Sequence, residues 1–171
     1  SKYNFSIMNP LQHHPNFKID QNDYEELNSS FKLRYPHIPK SYLIFLTTFS
    51  LATNSSDTTW FNSISDFNET NEESDFKWNE FELQSLEAFE GDKENQELVQ
   101  KFWDAHLPII LSVKNKYAFF AIGVSKENFG KIYYGEDPEY EEVELVSNDF
   151  TSFMDNLMNK KLETNYIDLF Y

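Results

Sequence analysis

The stretch that decides the fold is residues 107–135, LPIILSVKNKYAFFAIGVSKENFGKIYYG. It contains three short apolar runs rich in the β-branched and aromatic residues that are typical of strands. These runs are residues 109–113, 117–124 and 131–134. Short polar turns separate them, and this spacing predicts neighbouring antiparallel strands. A fourth strand is predicted at residues 143–146, after the turn that begins at Gly135.

A clear helical pattern lies upstream, at residues 39–49. Tyr42, Phe45, Leu46 and Phe49 follow the i, i+3, i+4, i+7 spacing of a helix with one buried face. Pro39 suits the first turn of such a helix. We therefore predict a helix over residues 39–49.

The other elements follow from weaker patterns. Residues 20–34 and 92–104 are predicted as helices, the second with Leu98, Val99, Phe102 and Trp103 facing inward. Residues 58–64 and 78–83 are predicted as strands, and residues 53–57 and 65–75 as a turn and a polar loop. Asn148 is expected to cap a last helix over residues 149–161. The apolar residues of segment 164–171 indicate that it packs back on the domain.

The order of elements gives the fold class. Because no β-α-β alternation occurs, we predict an α+β fold with a mostly antiparallel sheet of about five to six strands. Helices from the N-terminal half and one C-terminal helix flank it. Pro10 and Pro15 oppose a long helix, so residues 1–19 are predicted as an irregular N-terminal arm. Residues 20–171 form a single domain in this prediction.

Charge narrows the choice of partner. The chain has 29 acidic and 14 basic residues, a formal charge of -15. Most of the excess lies in residues 66–97, with twelve acids and two lysines, and in residues 136–155, with eight acids and no base. Such a surface repels nucleic acid and anionic membranes and attracts cations. The expected partner is therefore a basic protein, and neither nucleic acid nor a membrane.

Features that the sequence lacks bear on its cellular compartment and on catalysis or metal binding. It contains no cysteine, and no apolar run approaches the roughly 20 residues that span a bilayer. No signal peptide is visible at residues 1–10, so we predict a cytoplasmic location. His13 and His14 are adjacent and diverge, which does not favour a shared metal. The motifs G-x-S-x-G, G-x-x-x-x-G-K-[ST] and H-E-x-x-H are absent.

The acids are expected to be solvated clusters, not a pair buried in a cleft as a glycosidase requires. We predict no catalytic residue, no metal and no cofactor. An enzyme that combines acids with His106 or a tyrosine stays an alternative.

Two tryptophans, Trp60 and Trp78, lie beside the first acidic stretch. Either both fill the core, or one is half-exposed and anchors a partner, because interfaces favour aromatic residues. The predicted partner-binding residues are Glu72, Glu73, Asp75, Trp78, Glu87, Glu90, Asp92, Glu136, Asp137, Glu139, Glu141 and Glu142. Which acidic cluster forms the binding face stays open.

Five segments, taken in chain order, carry a resemblance to a known family. They are residues 38–46 (IPKSYLIFL), 107–110 (LPII), 117–122 (YAFFAI), 130–134 (GKIYY) and 143–154 (VELVSNDFTSFM). Their order resembles that of the SUKH superfamily, which joins a yeast cell-wall regulator with bacterial immunity proteins. The resemblance covers about residues 24–158. The chain departs from the family at residues 49–52, FSLA, where a Gly-Gly pair is common.

The resemblance implies a single α+β domain that binds and neutralises a secreted toxin inside the cell that makes it. Together with the charge, it implies a basic toxin, with a nuclease as one candidate. The alternative is a non-enzymatic interaction scaffold of the same fold that has no toxin partner.

Overall fold

The computed structural model describes residues 7–22, 24–71 and 76–171. Within these residues, seven strands form one sheet in which every neighbouring pair is antiparallel. They are β1 (Phe17–Asp20), β2 (Leu51–Asn54), β3 (Thr59–Phe61), β4 (His106–Ser112), β5 (Ala118–Gly123), β6 (Ile132–Glu136) and β7 (Glu144–Ser147). The order across the sheet is the order in the sequence. The predicted α+β class is confirmed, with seven strands where five to six were expected.

The helices of the described residues lie between and after these strands. They are α1 (Ser29–Arg34), α2 (Lys40–Leu46), α3 (Ile64–Phe67), α4 (Glu80–Ala88), α5 (Lys93–Ala105), α6 (Phe150–Met158) and α7 (Thr164–Phe170). The helices predicted at 39–49 and 92–104 are confirmed as α2 and α5. The last segment does pack back, because Tyr166, Leu169 and Phe170 of α7 are buried.

The central strands are covered on both faces. In β5, Ala118, Phe120 and Ile122 belong to one apolar cluster, whereas Phe119 and Ala121 belong to another. Because successive side chains of a strand point to opposite faces, two cores form on one sheet. The apolar run at 117–124 therefore has no polar alternation, although it is a strand.

The two faces differ in their cover. Residues of α1, α2, α3, α6 and α7 join the first cluster, and we call that side of the sheet the large face. Residues of α4 and α5 join the second cluster, and we call that side the small face. The small face carries the candidate site described below.

The structure corrects the prediction near the N-terminus. Residues 17–20 are not part of an irregular arm or of a helix, because they form β1 and pair with β2. Phe17 packs edge-on against Tyr171, with ring centroids 5.7 Å apart. Helix α1 begins only at Ser29. Tyr24 is 96% exposed with a φ of 71°, so it does not belong to the helix predicted over 20–34.

The prediction of a strand at 78–83 is wrong. These residues lead into helix α4, in which Phe81 and Ser85 are buried at i, i+4 while Leu83 is exposed. Glu80 and Glu82 occupy the first turn, where the helix dipole favours negative charge. The strand was predicted because the side chains of residues 78–83 alternate between two sides. An alternation over only six residues fits a strand and a helical turn almost equally well, which explains the error.

Smaller corrections concern caps and short elements. The predicted turn at 53–57 overlaps strand β2, and helix α3 interrupts the predicted loop at 65–75. Ser63 caps α3 in a capping box with Asp66. Asp149, and not Asn148, caps α6 by accepting a hydrogen bond from the Ser152 backbone at 2.7 Å.

Candidate partner-binding groove

A groove of about 560 Å³ lies between α4, α5 and the segment 137–142, which joins β6 to β7. The helices contribute Gln84, Ser85, Ala88, Phe89, Asn95, Leu98 and Val99 to its lining. The connecting segment contributes all six of its residues. The groove is thus built from both acidic stretches of the sequence, and we call it the acidic groove.

One side chain, Glu141, fastens the connecting segment to both helices. Its Oε2 atom accepts a hydrogen bond from Ser85 Oγ at 2.8 Å and another from Trp103 Nε1 at 2.9 Å. Ser85 and Trp103 are buried, so each donor would lose its partner without this carboxylate. Glu141 therefore has a structural part in shaping the groove.

Tyr140 provides a second attachment. Its hydroxyl donates to Gln84 Oε1 at 2.7 Å, and its ring stacks on Phe81 with centroids 4.6 Å apart. Gly135 makes room for this packing, since a Cβ atom there would lie 2.5 Å from the Phe119 ring. Burial raises the pKa of Tyr140 above its usual value.

The other acids of the segment are turned to solvent. Asp137, Glu139 and Glu142 are exposed along one wall of the groove. A hydrogen bond to Glu139, together with its negative charge, raises the pKa of Glu142. None of the residues lining the groove is a lysine, arginine or histidine. Two neighbouring carboxyl groups therefore stand in the groove without a cation beside them in its lining.

The helical wall of the groove contains no acid, although three predicted acids of the first stretch are close to its residues in the sequence. Glu87 and Glu90 are exposed at the end of α4, next to the lining residue Phe89. Asp92 caps α5 by accepting a hydrogen bond from the Asn95 backbone at 3.2 Å. Glu87, Glu90 and Asp92 are thus near lining residues in the sequence but are not part of the lining, whose acids all come from segment 137–142.

The groove also has an apolar part. Phe89 is 36% exposed and Leu98 is 60% exposed, although both are large apolar residues. The prediction that Leu98 faces inward is wrong. Val99 and Trp103 occupy the buried stripe of α5, which leaves Leu98 on the groove side.

Glu136 is a predicted partner-binding residue that does not line the groove. Glu72, Glu73 and Asp75 lie outside the described residues. Glu136 forms an ion pair with Lys116 at 2.7 Å. Its charge is therefore already balanced on the surface of β6.

Trp78 is not an exposed anchor, which corrects its assignment to the partner-binding set. It is 7% exposed and packs edge-on against Phe31 and Phe67, each with a centroid distance of 5.5 Å. Trp60 is half-buried, and its ring meets Phe76 edge-on. The core interpretation of Trp78 is confirmed.

A partly buried ion pair also escaped the sequence analysis. Arg34 Nη2 lies 2.7 Å from Glu82 Oε2, and Arg34 Nε lies 3.0 Å from Asp104 Oδ1. Burial alone would lower the pKa of Arg34, but the hydrogen bond and the charge of Glu82 raise it. This pair ties α1 to α4 beside the small face.

The histidine chemistry is limited in the part of the chain that the structure describes. There, no group of three or more His, Asp or Glu side chains is arranged to hold a metal. His106 stacks on Phe102 with centroids 4.0 Å apart, and its Nδ1 lies 2.7 Å from the Phe102 carbonyl. Burial lowers its pKa, and this hydrogen bond opposes the shift. None of the hydrogen bonds found for His106 involves a carboxylate.

Comparisons of the chain with protein-family models, with curated proteins and with solved structures found no match. Among the described residues, no helix is both long and apolar enough to cross a bilayer. The fold and the groove therefore define an α+β chain with an acidic groove on one face of its sheet.

Proposed function

We propose that this chain is a cytoplasmic immunity protein that binds a basic toxin domain and neutralises it by covering it. A nuclease is the toxin class that we favour. One observation carries the proposal: residues of both acidic stretches build one groove, and its lining has four acids, all from segment 137–142, and no basic residue. The resemblance of the five segments to the SUKH superfamily supports the same function.

The physical basis is electrostatic attraction followed by occlusion. A cleft lined by one sign of charge raises the association rate of an oppositely charged partner by about 10–10³ at low salt. Carboxylates at the rim then take the positions that substrate phosphates would occupy on a nuclease. Such occlusion requires no chemical step by the immunity protein.

Affinity needs more than charge, because exposed ion pairs contribute little on their own. Interfaces concentrate binding energy in a few central residues that lose contact with water. Phe89 and Leu98 offer such a centre in the same groove as the acids of segment 137–142. In this proposal the carboxylates set rate and orientation, and the apolar centre sets the lifetime of the complex.

The test is co-expression with the product of the adjacent gene, followed by gel filtration of the two proteins. The double variant Glu139→Gln, Glu142→Gln removes two groove charges. A matched control, Glu127→Gln with Glu163→Gln, removes two exposed charges outside the lining of the groove. We expect the native chain and the control to restore growth and to co-elute with the partner. The groove variant should associate on the order of 10-fold more slowly at low salt.

Two outcomes would count against the proposal. The first is an absence of both growth rescue and complex for the native chain. The second is a complex that forms without any rescue of growth, which would favour the scaffold alternative.

A further inference from the structure

The acidic groove has the size of a specific binding pocket. Its volume of about 560 Å³ lies within the roughly 300–1,000 Å³ range of pockets that hold drug-sized ligands. This is room for a few side chains of a partner. Glu141 and Tyr140 fix one wall through hydrogen bonds to Ser85, Trp103 and Gln84, so little ordering is needed on binding.

The charged wall selects a cation that can engage two carboxyl groups. Glu139 and Glu142 both line the groove, and the Glu142 backbone N–H donates to the Glu139 carbonyl at 3.0 Å, which holds the two residues in one turn. A guanidinium group presents several N–H donors in one plane and can serve two carboxylate oxygens together. An ammonium group acts as a point charge and matches this arrangement less well.

The apolar wall argues against a bare metal ion. Phe89, Leu98 and Pro138 line the groove beside the acids, whereas calcium takes six to eight oxygen ligands. An arginine carries a long apolar stem that lies along such surfaces, and its plane stacks on aromatic rings. The mixed lining therefore fits arginine better than an ion.

We infer that the acidic groove binds an arginine of the partner protein, with its guanidinium at Glu139 and Glu142 and a neighbouring apolar side chain on Leu98. The inference deepens the proposed function and rests on it for the identity of the partner as a toxin. The binding preference itself belongs to the groove and can be measured without the toxin.

The experiment uses the full chain and blocked tetrapeptides as probes. Acetyl-Arg-Leu-Arg-Leu-amide is titrated while backbone amide signals of residues 84–99 and 137–142 are followed by NMR. Matched probes replace arginine by lysine, or leucine by glycine, and calcium chloride is titrated alone. We expect the arginine–leucine probe to shift signals at the groove and to bind several-fold more tightly than each matched probe.

Variants test separately how the acidic part and the apolar part of the groove contribute to peptide binding. Glu139→Gln with Glu142→Gln should weaken binding by about 10-fold or more, as expected for the loss of a charged hydrogen bond. Leu98→Ser should weaken the arginine–leucine probe by about 3-fold to 10-fold and leave the glycine probe unchanged. Leu33→Ser is its control, because Leu33 is also an exposed helical leucine, at 82%.

Shifts spread over the whole surface would overturn the inference, as would unchanged binding by the Glu139/Glu142 variant. Equal shifts of the same amides by calcium would overturn it too. Peptide binding at the groove without growth rescue would uphold the inference and reject the immunity function. Growth rescue without peptide binding would do the reverse.

Discussion

The two faces of the sheet are stabilised by different means. On the large face, Phe120 is fully buried and its ring lies within 5.7 Å of Tyr134, Phe153, Tyr166 and Phe170, centroid to centroid. On the small face the cluster of buried rings is smaller, and Glu141 adds two hydrogen bonds that hold the connecting segment on it. Close packing of rings gives stability, while a few directional bonds shape a groove that remains open.

This difference separates stability from recognition. The carboxylates at the groove are mostly exposed, so changing them removes little buried surface. The rings of the large face are buried and do not line the groove. We therefore expect stability and binding to respond to different substitutions, and each prediction below tests part of that expectation.

The largest effect should come from the large face. Phe120→Ala removes a fully buried ring and leaves a cavity, so the free energy of unfolding should fall by about 3–5 kcal/mol. Denaturant unfolding followed by far-UV circular dichroism measures it. Phe129→Ala is the control, since Phe129 is 54% exposed, and it should change stability by less than about 0.5 kcal/mol. A loss below about 1 kcal/mol for Phe120→Ala would show that the large face is not the main source of stability.

A smaller loss is expected from the polar attachment on the small face. Glu141→Ala leaves the Ser85 hydroxyl and the Trp103 indole without their acceptor, at a cost of about 1–3 kcal/mol. Glu141→Gln keeps an acceptor oxygen and should cost less. Denaturant unfolding and tryptophan fluorescence check both. Stability equal to that of the native chain in Glu141→Ala would mean that the connecting segment is held by Tyr140 alone.

The change of the unfolding free energy with pH should be smaller than the effect of Glu141→Ala. Burial lowers the pKa of His106 in the folded chain below its ordinary value of 6.5. Below about pH 6.5 the unfolded chain therefore binds a proton that the folded chain does not, so stability falls as the pH falls towards the folded pKa. This stability is fully present above pH 6.5. Unfolding free energies measured between pH 8 and pH 5 should decline more steeply for the native chain than for His106→Gln, and equal slopes would contradict the assignment.

The least effect on stability is expected at the rim. Glu87→Gln with Glu90→Gln changes two exposed acids that make no hydrogen bond through their side chains among the described residues. The midpoint of denaturant unfolding should therefore stay the same. Association with a basic partner should slow and depend less on salt. A large drop in the stability of this double variant would contradict the expectation that binding and stability respond to different substitutions.

The elements that the sequence predicted well have patterns long enough to be decisive. The spacing of Tyr42, Phe45, Leu46 and Phe49 indicates α2, and the three apolar runs between residues 109 and 134 indicate the central hairpins. These patterns reflect burial of apolar residues on one helical face or on both faces of a sheet. That burial is the main determinant of the structure of those segments. They predicted the class of the fold without any distant contact.

The elements that were missed depend on distant partners. Residues 17–20 become a strand because β2 offers them a pairing edge, and nothing local indicates it. Residues 78–83 have an alternation too short to separate a strand from a helix. In both places tertiary contacts override the local pattern.

The negative charge of the candidate site was predictable from the sequence, but the arrangement of its residues was not. The two acidic stretches are visible in the sequence, whereas their meeting at one groove depends on the placement of α4 and α5 beside segment 137–142. A sequence cannot distinguish the anchoring Glu141 from its exposed neighbour Glu142. The burial of Trp78, which lies in the turn before α4, and the exposure of Leu98 on α5 likewise depend on tertiary packing.

The order of the strands has a consequence for biosynthesis. Each strand pairs with its predecessor in the sequence, so the sheet can extend hairpin by hairpin while the chain leaves the ribosome. The Leu169 carbonyl of α7 accepts hydrogen bonds from Asn54 at 3.3 Å and from Thr59 at 2.7 Å. Strands β2 and β3 are therefore synthesised well before the helix that covers them. Until α7 is synthesised, the rings of the large face are exposed, and a chaperone could bind them.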